Sequence, residues 1–342
     1  MEKWWDCRSL DELFNNITTY NLAEHAKENY EVKLNYLRNI IFNNRSLKKS
    51  RRVINQHYNI GNDLYFSMLG GNPLENDNHA FIQYTCAYRG NLKNNEEFNL
   101  RNDQIRKLEL ICRKADLKKG MRILELGSGF GGFANYSSTN YGVEITAYNI
   151  SEKQIEFSRE WNKNLPIKII DKDYRLSEGE FDRVISIGLA EHIDSRELMK
   201  TAYRCLSKDG LFILHTIGRL NPKKGTEPWI DKYIFPGGNL PSISQLTQSA
   251  EGLFTILDIQ NFGLDYDPTL MAWNNNFQNS WSKLKNNYSH LINGNFKRMW
   301  EYYLLSCAGA FRVSKENPKA LKNQLFQIVL SKSPSKKYIS VR

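Results

Sequence analysis

The stretch Glu125-Leu126-Gly127-Ser128-Gly129-Phe130-Gly131-Gly132 decides the fold of this chain. It follows a short β-rich run at 122–126 and precedes a segment of helix length. Glycines in a strand-to-helix turn allow a tight bend and let a ligand approach the backbone at the positive end of the helix. The stretch therefore predicts a ligand-binding loop at the carboxyl end of a sheet.

Two cofactors fit this loop, a dinucleotide and S-adenosylmethionine (SAM). Gly127, Gly129 and Gly132 satisfy the dinucleotide pattern G-x-G-x-x-G, which usually has an acidic residue about 20 residues further on to bind the ribose. The second expected strand leads instead to Asn149, with no acid. Glu125 lies two residues before Gly127, where its carboxylate can face the amino group of SAM. The pattern favours SAM, while a dinucleotide and a glycine turn without a ligand stay open as alternatives.

The remainder of the chain from Met121 alternates short β-rich runs with helical segments. Strands separated by helix-length segments imply right-handed crossovers and a mainly parallel sheet. The predicted fold class is therefore α/β, with a doubly wound, Rossmann-like sheet of about seven strands. The expected strands are 122–126, 143–148, 167–170, 183–187, 210–216, 254–262 and 325–331.

Three regions are predicted along the chain. Residues 1–56 form a helical N-terminal extension that ends in the basic cluster 45–52. Residues 57–120 form a helical lead-in that covers the cofactor site, with a helix at about 100–115. Residues 121–342 form the domain that binds the cofactor, which carries an aromatic-rich helical insertion at about 267–310.

Composition restricts the class of protein and its environment. The chain has 342 residues, of which 41% are hydrophobic, so that it can bury a sizeable core. It has no run of about 18 apolar residues that would predict a transmembrane helix, and Met1–Asp6 does not resemble a signal peptide. The five cysteines are scattered without a C-x-x-C pair, which argues for a reducing cytosol and against a disulfide framework or a zinc site.

The net charge of +10 favours anionic partners. Nucleic acid, acidic ligands and the headgroups of a membrane surface all qualify, and so does a basic surface that only contacts solvent. Charge alone does not distinguish these alternatives.

Several polar residues follow the expected strands. Glu191 comes after the fourth strand, His215 ends the fifth, and Tyr266 comes after the sixth, while Cys86 lies upstream of the sheet. Because the carboxyl ends of the strands of a doubly wound sheet converge on one crevice, Glu191, His215 and Tyr266 are predicted to meet beside the cofactor. The alternative interpretations are a helix cap, a core histidine, a turn tyrosine and a small core cysteine.

With these residues the sequence resembles the cyclopropane-fatty-acid and mycolic-acid cyclopropane synthases. The resemblance covers about residues 51–332 and implies a class I methyltransferase fold that uses SAM to cyclopropanate cis-unsaturated acyl chains of membrane phospholipids. The matching segments are 57–63, 83–88, the glycine loop, Glu191-His192, 214–218, 228–236, 261–273 and 307–311.

The resemblance implies a catalytic site in which bicarbonate is the base. The methyl group of SAM adds to a cis double bond and leaves a carbocation, after which a weak base removes a proton from that methyl and the ring closes. Cys307 is a further candidate, although this chemistry requires no thiolate. By resemblance the bicarbonate is held by Cys86, Glu191, His215, Ile217 and Tyr266. No metal is implied.

The resemblance also implies the contacts of SAM. Tyr84 and Thr85 would face the methionine end together with the glycine loop, that is Glu125, Gly127, Ser128, Gly129, Phe130 and Gly131. Asn149, Ile150 and Gln154 would surround the ribose and adenine, and Tyr174 and Arg175 the adenine edge. The family more often has Thr at position 149, Cys at 128 and Trp at 130, which are mild departures in this chain.

Substrate, partners and location follow as expectations. A phospholipid acyl chain would enter an apolar tunnel, and Lys48, Lys49, Arg51 and Arg52 would attract the protein to the anionic inner face of the membrane from the cytoplasm. No nucleic acid is expected as a partner, and a homodimer is an open expectation, since the N-terminal segment is shorter than the extra domain of longer bacterial synthases. The residues expected to line the tunnel are Phe262, Met271, Trp273, Phe277, Trp281, Trp300, Tyr302 and Tyr303.

Two other functions stay open. A SAM methyltransferase of the same superfamily could act on an acyl chain or a small amine without ring closure. A lipid-binding or SAM-binding module without catalysis is the third hypothesis. The intact set of Cys86, Glu191, His215, Ile217 and Tyr266 favours ring closure.

Overall fold

The computed structural model describes residues 6–20, 22, 60–75, 81–90, 97–222, 226–312, 317 and 323–342. The basic residues Lys48, Lys49, Arg51 and Arg52 therefore lie outside the described residues, and the predicted three-part division stays a prediction. The strands are β1 (Arg122–Leu126), β2 (Glu144–Asn149), β3 (Ile167–Asp171), β4 (Phe181–Ile187), β5 (Leu206–Arg219), β6 (Thr255–Asn261) and β7 (Asn323–Ser331).

The helices precede the sheet, alternate with its strands and then form an insertion before β7. In the described ranges they are α1 (Leu10–Thr19), α2 (Asn62–Leu69), α3 (Leu100–Lys114), α4 (Gly132–Tyr141), α5 (Glu152–Trp161), α6 (Ser195–Cys205), α7 (Pro228–Tyr233), α8 (Ile243–Ala250), α9 (Tyr266–Tyr288) and α10 (Phe296–Phe311).

The seven strands form one sheet in the order β3-β2-β1-β4-β5-β7-β6. The pairs from β3 to β5 are parallel, whereas β7 runs antiparallel between β5 and β6. The predicted α/β fold with a mainly parallel seven-stranded sheet is confirmed. The chain order reverses between β1 and β4, and this switch point is where such sheets bind ligands.

Strand β5 differs most from its expected bounds, which were 210–216. It begins at Leu206, because Leu206 pairs with Phe181 ahead of a register shift in β4. Lys208 and Asp209, which precede the expected start at Gly210, are polar residues typical of turns. The sequence therefore does not indicate a strand at these positions.

Helix α3 shows how the sequence sets the boundaries of an element. The side chain of Asn99 accepts a hydrogen bond from the backbone N–H of Asn102 at its start, and Arg113 and Lys114 lie in its last turn, where cations interact favourably with the helix dipole. Its apolar face, which includes Leu108 and Ile111, packs with one face of the sheet. This packing places α3 on the same face of the sheet as α4 and α5.

Three hydrophobic cores hold the fold together. One packs α6 and α8 on one face of the sheet, and a second packs α3, α4 and α5 on the other. The third is an aromatic core of α2, α9 and α10, which includes Tyr65, Trp273, Phe277 and Trp300. This core joins the helical insertion to α2, to the segment 81–90 and to Phe130 of the glycine loop.

Within the described ranges, no helix is long and apolar enough to cross a membrane. The same ranges contain no group of three or more His, Cys, Asp or Glu residues that could hold a metal ion.

Candidate active site

The glycine loop is closed by backbone hydrogen bonds to β2. The N–H groups of Gly127 and Ser128 both donate to the carbonyl of Tyr148, at 3.0 and 3.1 Å. Gly131 has φ +82°, and a Cβ there would lie 2.1 Å from Ser158 Oγ. A Cβ at Gly132 would lie 2.0 Å from Gln83 Nε2 and 2.6 Å from the carbonyl oxygen of Ile82. Glycine at position 132 therefore permits the close approach of the segment 81–90, and glycine at position 131 permits that of Ser158 in α5.

A cavity of about 120 Å³, here called the cofactor cavity, lies against this loop. It brings together most of the residues that the sequence predicts for SAM, and Gln83 joins them. Gly131, Ile150, Tyr174 and Arg175 are absent from its wall. Tyr174 is buried in the core beneath α6, and Arg175 is held by both oxygens of Asp173. The predicted residues in the wall are Tyr84, Thr85, Glu125, Gly127, Ser128, Gly129, Phe130, Asn149 and Gln154.

Asn149 ties the end of β2 to the glycine loop. Its side-chain Nδ2 donates to the carbonyl of Gly129 at 2.9 Å and to Gln154 Oε1 at 3.2 Å, while its Oδ1 accepts from the N–H of Ile150 at 2.7 Å. A carboxylate could accept but not donate in this position. Asn149, which stands near the position where the dinucleotide pattern has an acid, thus holds the glycine loop in place by hydrogen bonds.

Glu125 lines the cofactor cavity, and the buried Lys107 is near enough for the charges of the two side chains to interact. Glu125 is 2% exposed, and its Oε2 has no hydrogen-bond partner among the described residues. Burial raises the pKa of Glu125 to about 8 and lowers that of Lys107 to about 7, with each charge opposing the shift of the other. Lys107 Nζ donates to Gln83 Oε1 at 2.6 Å and to Thr85 Oγ1 at 2.8 Å. A ligand amino group would supply the partner that Glu125 lacks.

Sequence reasoning missed Lys107. The available signal was its position immediately before Leu108, next to the apolar face of α3, where a buried lysine needs acceptors. Which acceptors it has depends on the segment 81–90, which has no regular secondary structure.

A second cavity of about 220 Å³, here called the anion cavity, adjoins the first. Tyr84, Thr85, Gly188 and His192 line both. Of the six predicted catalytic residues its wall contains Glu191, His215, Ile217, Tyr266 and Cys307.

Cys86 is the predicted catalytic residue whose side chain does not line the anion cavity. It is fully buried, and its Sγ donates to the carbonyl of Ala87 at 3.1 Å. Burial and the nearby charge of Asp265 raise its pKa well above that of an ordinary thiol. The Cys86 thiol is therefore uncharged and lies outside the wall of the anion cavity.

Glu191 lies in the 3₁₀ turn Ala190–His192 that follows β4. Its Oε1 accepts a hydrogen bond from the backbone N–H of Ile217 at 2.6 Å, and its Oε2 has no partner within the described part of the chain. Burial raises the pKa of Glu191 to about 7. The contribution of Ile217 is thus a backbone N–H that fixes the carboxylate.

His215 is 1% exposed and neutral. Burial, with the charges of Lys107 and Lys114, lowers its pKa well below the ordinary value. Its Nδ1 lies 3.2 Å from Nε2 of Gln327 on β7, and its Nε2 has no partner among the residues that the structure describes. Gln327 was also missed from the sequence, where its only signal is an amide between the apolar runs Leu325-Phe326 and Ile328-Val329-Leu330.

Tyr266 and Cys307 are uncharged as well. Burial raises the pKa of Tyr266 well above its usual range and that of Cys307 to about 12. The Tyr266 ring stacks on Phe311 with 4.6 Å between ring centroids. A thiol with such a raised pKa is a poor nucleophile, which argues against a covalent role for Cys307.

The helical insertion lines the anion cavity through Leu270, Tyr303 and Cys307, but most of the aromatic residues expected to line an apolar tunnel lie elsewhere. Of the residues named for it, only Tyr303 is in the wall of the anion cavity, and Trp273, Phe277 and Trp300 are fully buried in the third core. They pack α2, α9 and α10 together in a core that also includes Ile82 and Phe130. The apolar wall consists instead of Ile217, Ile230, Phe235, Leu240, Leu270, Phe311 and Leu325.

Comparison with known proteins adds independent findings. The family model for mycolic acid cyclopropane synthetase matches residues 45–319. The cyclopropane-fatty-acyl-phospholipid synthase of Escherichia coli (strain K12) is 38% identical over 335 residues, which cover 97% of this chain and 81% of that protein.

Solved structures show the same fold. A cyclopropane synthase from Mycobacterium tuberculosis is 22% identical, with a TM-score of 0.70 over 82% of this chain and 98% of its own. A mycolic acid cyclopropane synthase complexed with SAH and CTAB is 24% identical, also with a TM-score of 0.70, over 82% of this chain and 97% of its own.

Proposed function

The chain belongs to the mycolic acid cyclopropane synthetase family, and from that premise we propose that it converts cis double bonds of phospholipid acyl chains into cyclopropane rings. It is a SAM-dependent methyltransferase of the cyclopropane-synthase type. The observation that carries the proposal is a pair of buried atoms, Glu191 Oε2 and His215 Nε2, that have no partner in the described ranges and lie in a cavity that adjoins the cofactor cavity.

The residues of the cofactor cavity fit SAM. Glu125 supplies an acceptor for the amino group of the methionine end, and the glycine loop admits the ligand against its backbone. Because Tyr84, Thr85, Gly188 and His192 are shared, a methyl group held at this wall faces the anion cavity.

The residues of the anion cavity fit bicarbonate. Its donors are the imidazole N–H of His215 and the phenol of Tyr266, and its acceptor is Glu191 Oε2. A bicarbonate ion needs both, since its carboxylate oxygens accept and its hydroxyl donates. When bound it would supply the base that takes the proton from the transferred methyl.

The apolar wall fits an acyl chain. Ile230, Phe235 and Leu270 exclude water, which would otherwise capture a carbocation. The ring faces of Tyr266 and Phe311 add cation–π attraction for the positive charge on the chain.

Peripheral contact with an anionic membrane is part of the proposal. The net charge of +10 supports attraction to anionic headgroups at the inner face of the cytoplasmic membrane. A homodimer stays a prediction.

The testing experiment is a product assay. Purified protein is incubated with SAM, bicarbonate and vesicles of cis-unsaturated phospholipid, and saturated vesicles serve as the control. We expect a gain of one CH₂ in the acyl mass with loss of the alkene proton signals. A methyl-branched or methylene product would support methylation without ring closure, and no product despite SAM binding would support a binding module.

Two variants test the separate roles of the two cavities. We expect Glu191→Gln and Tyr266→Phe to retain SAM affinity and to lose turnover, because both side chains line the anion cavity and not the cofactor cavity. Exposed Glu180→Gln is the matched control and should behave as wild type. Isothermal titration with SAM and the product assay measure the two quantities. Loss of SAM binding in both variants would contradict this separation.

A further inference from the structure

His215 and Gln327 form a buried cross-strand pair. They lie directly opposite each other in the antiparallel pairing of β5 with β7, so that both side chains point to the same face of the sheet. His215 is 1% exposed and Gln327 is 0% exposed. His215 lines the anion cavity, whereas Gln327 is not part of the wall of that cavity.

The hydrogen bond between them determines which nitrogen of His215 carries the proton. A neutral imidazole has one N–H donor and one acceptor nitrogen. In the amide orientation of the structure, Gln327 Nε2 is a donor 3.2 Å from His215 Nδ1, so that Nδ1 accepts and the proton is on Nε2. The opposite amide orientation would bring Oε1 to Nδ1 and place the proton there, so the ring tautomer distinguishes the two orientations. Nε2 is the nitrogen without a partner among the described residues, and the ring lines the cavity.

We propose that Gln327 is a positioning residue, whose carboxamide holds His215 in the Nε2–H tautomer so that this N–H donates to the anion in the cavity. The inference rests on the proposed function, which places bicarbonate there. With the proton on Nδ1 instead, the lone pair of Nε2 would face the anion. The cavity would then lose a donor next to Glu191, whose Oε2 is already an acceptor.

The tautomer of wild-type His215 is the first test. The protein is labelled with ¹⁵N in the histidine rings, and long-range ¹H–¹⁵N correlation spectra distinguish the two tautomers. His215→Asn assigns the signals, because the chain has six histidines. We expect the Nε2–H tautomer, and an Nδ1–H tautomer would overturn the proposal without any activity measurement.

Two substitutions of Gln327 test its effect on the bound anion. Gln327→Glu keeps the shape but offers Nδ1 an acceptor, and Gln327→Met removes the donor. We expect Gln327→Glu to move the ring proton to Nδ1. Both variants should raise the KM for bicarbonate about tenfold to a hundredfold, the loss expected for one hydrogen bond to a charged group. The Kd for SAM should stay unchanged.

Gln324→Glu is the matched control. Gln324 lies on the same strand, is 1% exposed and bonds the side chain of Asn261 instead of His215. It should leave the His215 tautomer and the bicarbonate KM as in wild type. If Gln327→Glu does not fold, the wild-type tautomer and Gln327→Met still decide the question.

The outcomes separate this inference from the proposed function. A wild-type rate that does not depend on bicarbonate would overturn the proposed base and the role of Gln327 with it. A bicarbonate-dependent enzyme whose KM is unaffected in both Gln327 variants, or whose Gln324 control shifts equally, overturns the role of Gln327 alone.

Discussion

Single residues at the site carry buried polar atoms that have no partner among the described residues. They are Glu125 Oε2 near the end of β1, Glu191 Oε2 in the turn after β4, and His215 Nε2 in β5 opposite Ile187, the last residue of β4. Each unpaired buried polar group costs about 1–3 kcal/mol of stability. A ligand that supplies the partners restores that stability, which supports the proposed binding of SAM and bicarbonate at these atoms.

The raised pKa of Glu191 predicts a pH-dependent gain of stability in Glu191→Gln. Burial raises this pKa from 4.5 unfolded to about 7 folded, so that the native state holds more protons between these values and loses stability as pH rises through the window. The variant lacks this titrating group. Its free energy of unfolding, relative to that of wild type, should therefore increase by up to about 3 kcal/mol between pH 4.5 and 7. Urea unfolding at pH 5 and pH 8 measures it, with Glu180→Gln as control. A stability difference between variant and wild type that does not change with pH would contradict the burial of the Glu191 carboxylate.

Lys107→Met should weaken SAM binding. The change removes the hydrogen bonds to Gln83 and Thr85, which hold the segment 81–90 against the cofactor cavity. We expect the Kd for SAM to rise about tenfold, equivalent to roughly one hydrogen bond. Lys114→Met is the matched control, a fully buried lysine of the same helix that pairs with Asp258. Equal loss of SAM affinity in both variants, measured by calorimetry, would contradict a local role for Lys107.

The unit formed by β1, the glycine loop and α4 is the element on which the site is built. Its strand and its turn could be predicted from local sequence, because apolar runs and glycines act within a few residues of the chain. The contact of α4 with the segment 81–90 could not, since Gly132 and Gln83 are far apart in sequence.

Gly132→Ala tests this contact. Alanine is the better helix former by about 1 kcal/mol, but its Cβ would overlap Gln83 Nε2 and the carbonyl of Ile82. We expect a net loss of about 1–3 kcal/mol in the free energy of unfolding, together with weaker SAM binding. Exposed Thr139→Ala on the same helix is the control and should be neutral or slightly stabilising. Urea unfolding decides, and a stabilised Gly132→Ala would contradict the contact.

Across the whole molecule, α1 packs on α10, whose residues Cys307 and Phe311 line the anion cavity. Arg312, which follows α10, forms ion pairs with Asp11 of α1 and with Asp267 of α9, both at 2.8 Å. This arrangement places the N-terminal helix where it supports one wall of the cavity.

Gly309→Ala should displace α1. A Cβ at Gly309 would lie 2.1 Å from the carbonyl oxygen of Asp11. We expect faster proteolysis near α1 and lower turnover, with the Kd for SAM unchanged because α10 does not line the cofactor cavity. Ala310→Ser, a small change at the next position, is the control. Unchanged proteolysis in Gly309→Ala would show that α1 does not depend on this contact.

The sequence by itself determined the order of strands and helices, the glycine loop and the family, because all three depend on local periodicity and on short motifs. It also indicated Glu191, His215 and Tyr266 as neighbours, since parallel strands bring their carboxyl ends to one edge. Only the tertiary structure decided that Gln327 contacts His215 and that Lys107 donates hydrogen bonds to the segment 81–90. It also decided that Trp273 and Trp300 are core residues. These outcomes depend on contacts between distant segments, and local sequence patterns do not encode which distant side chains meet.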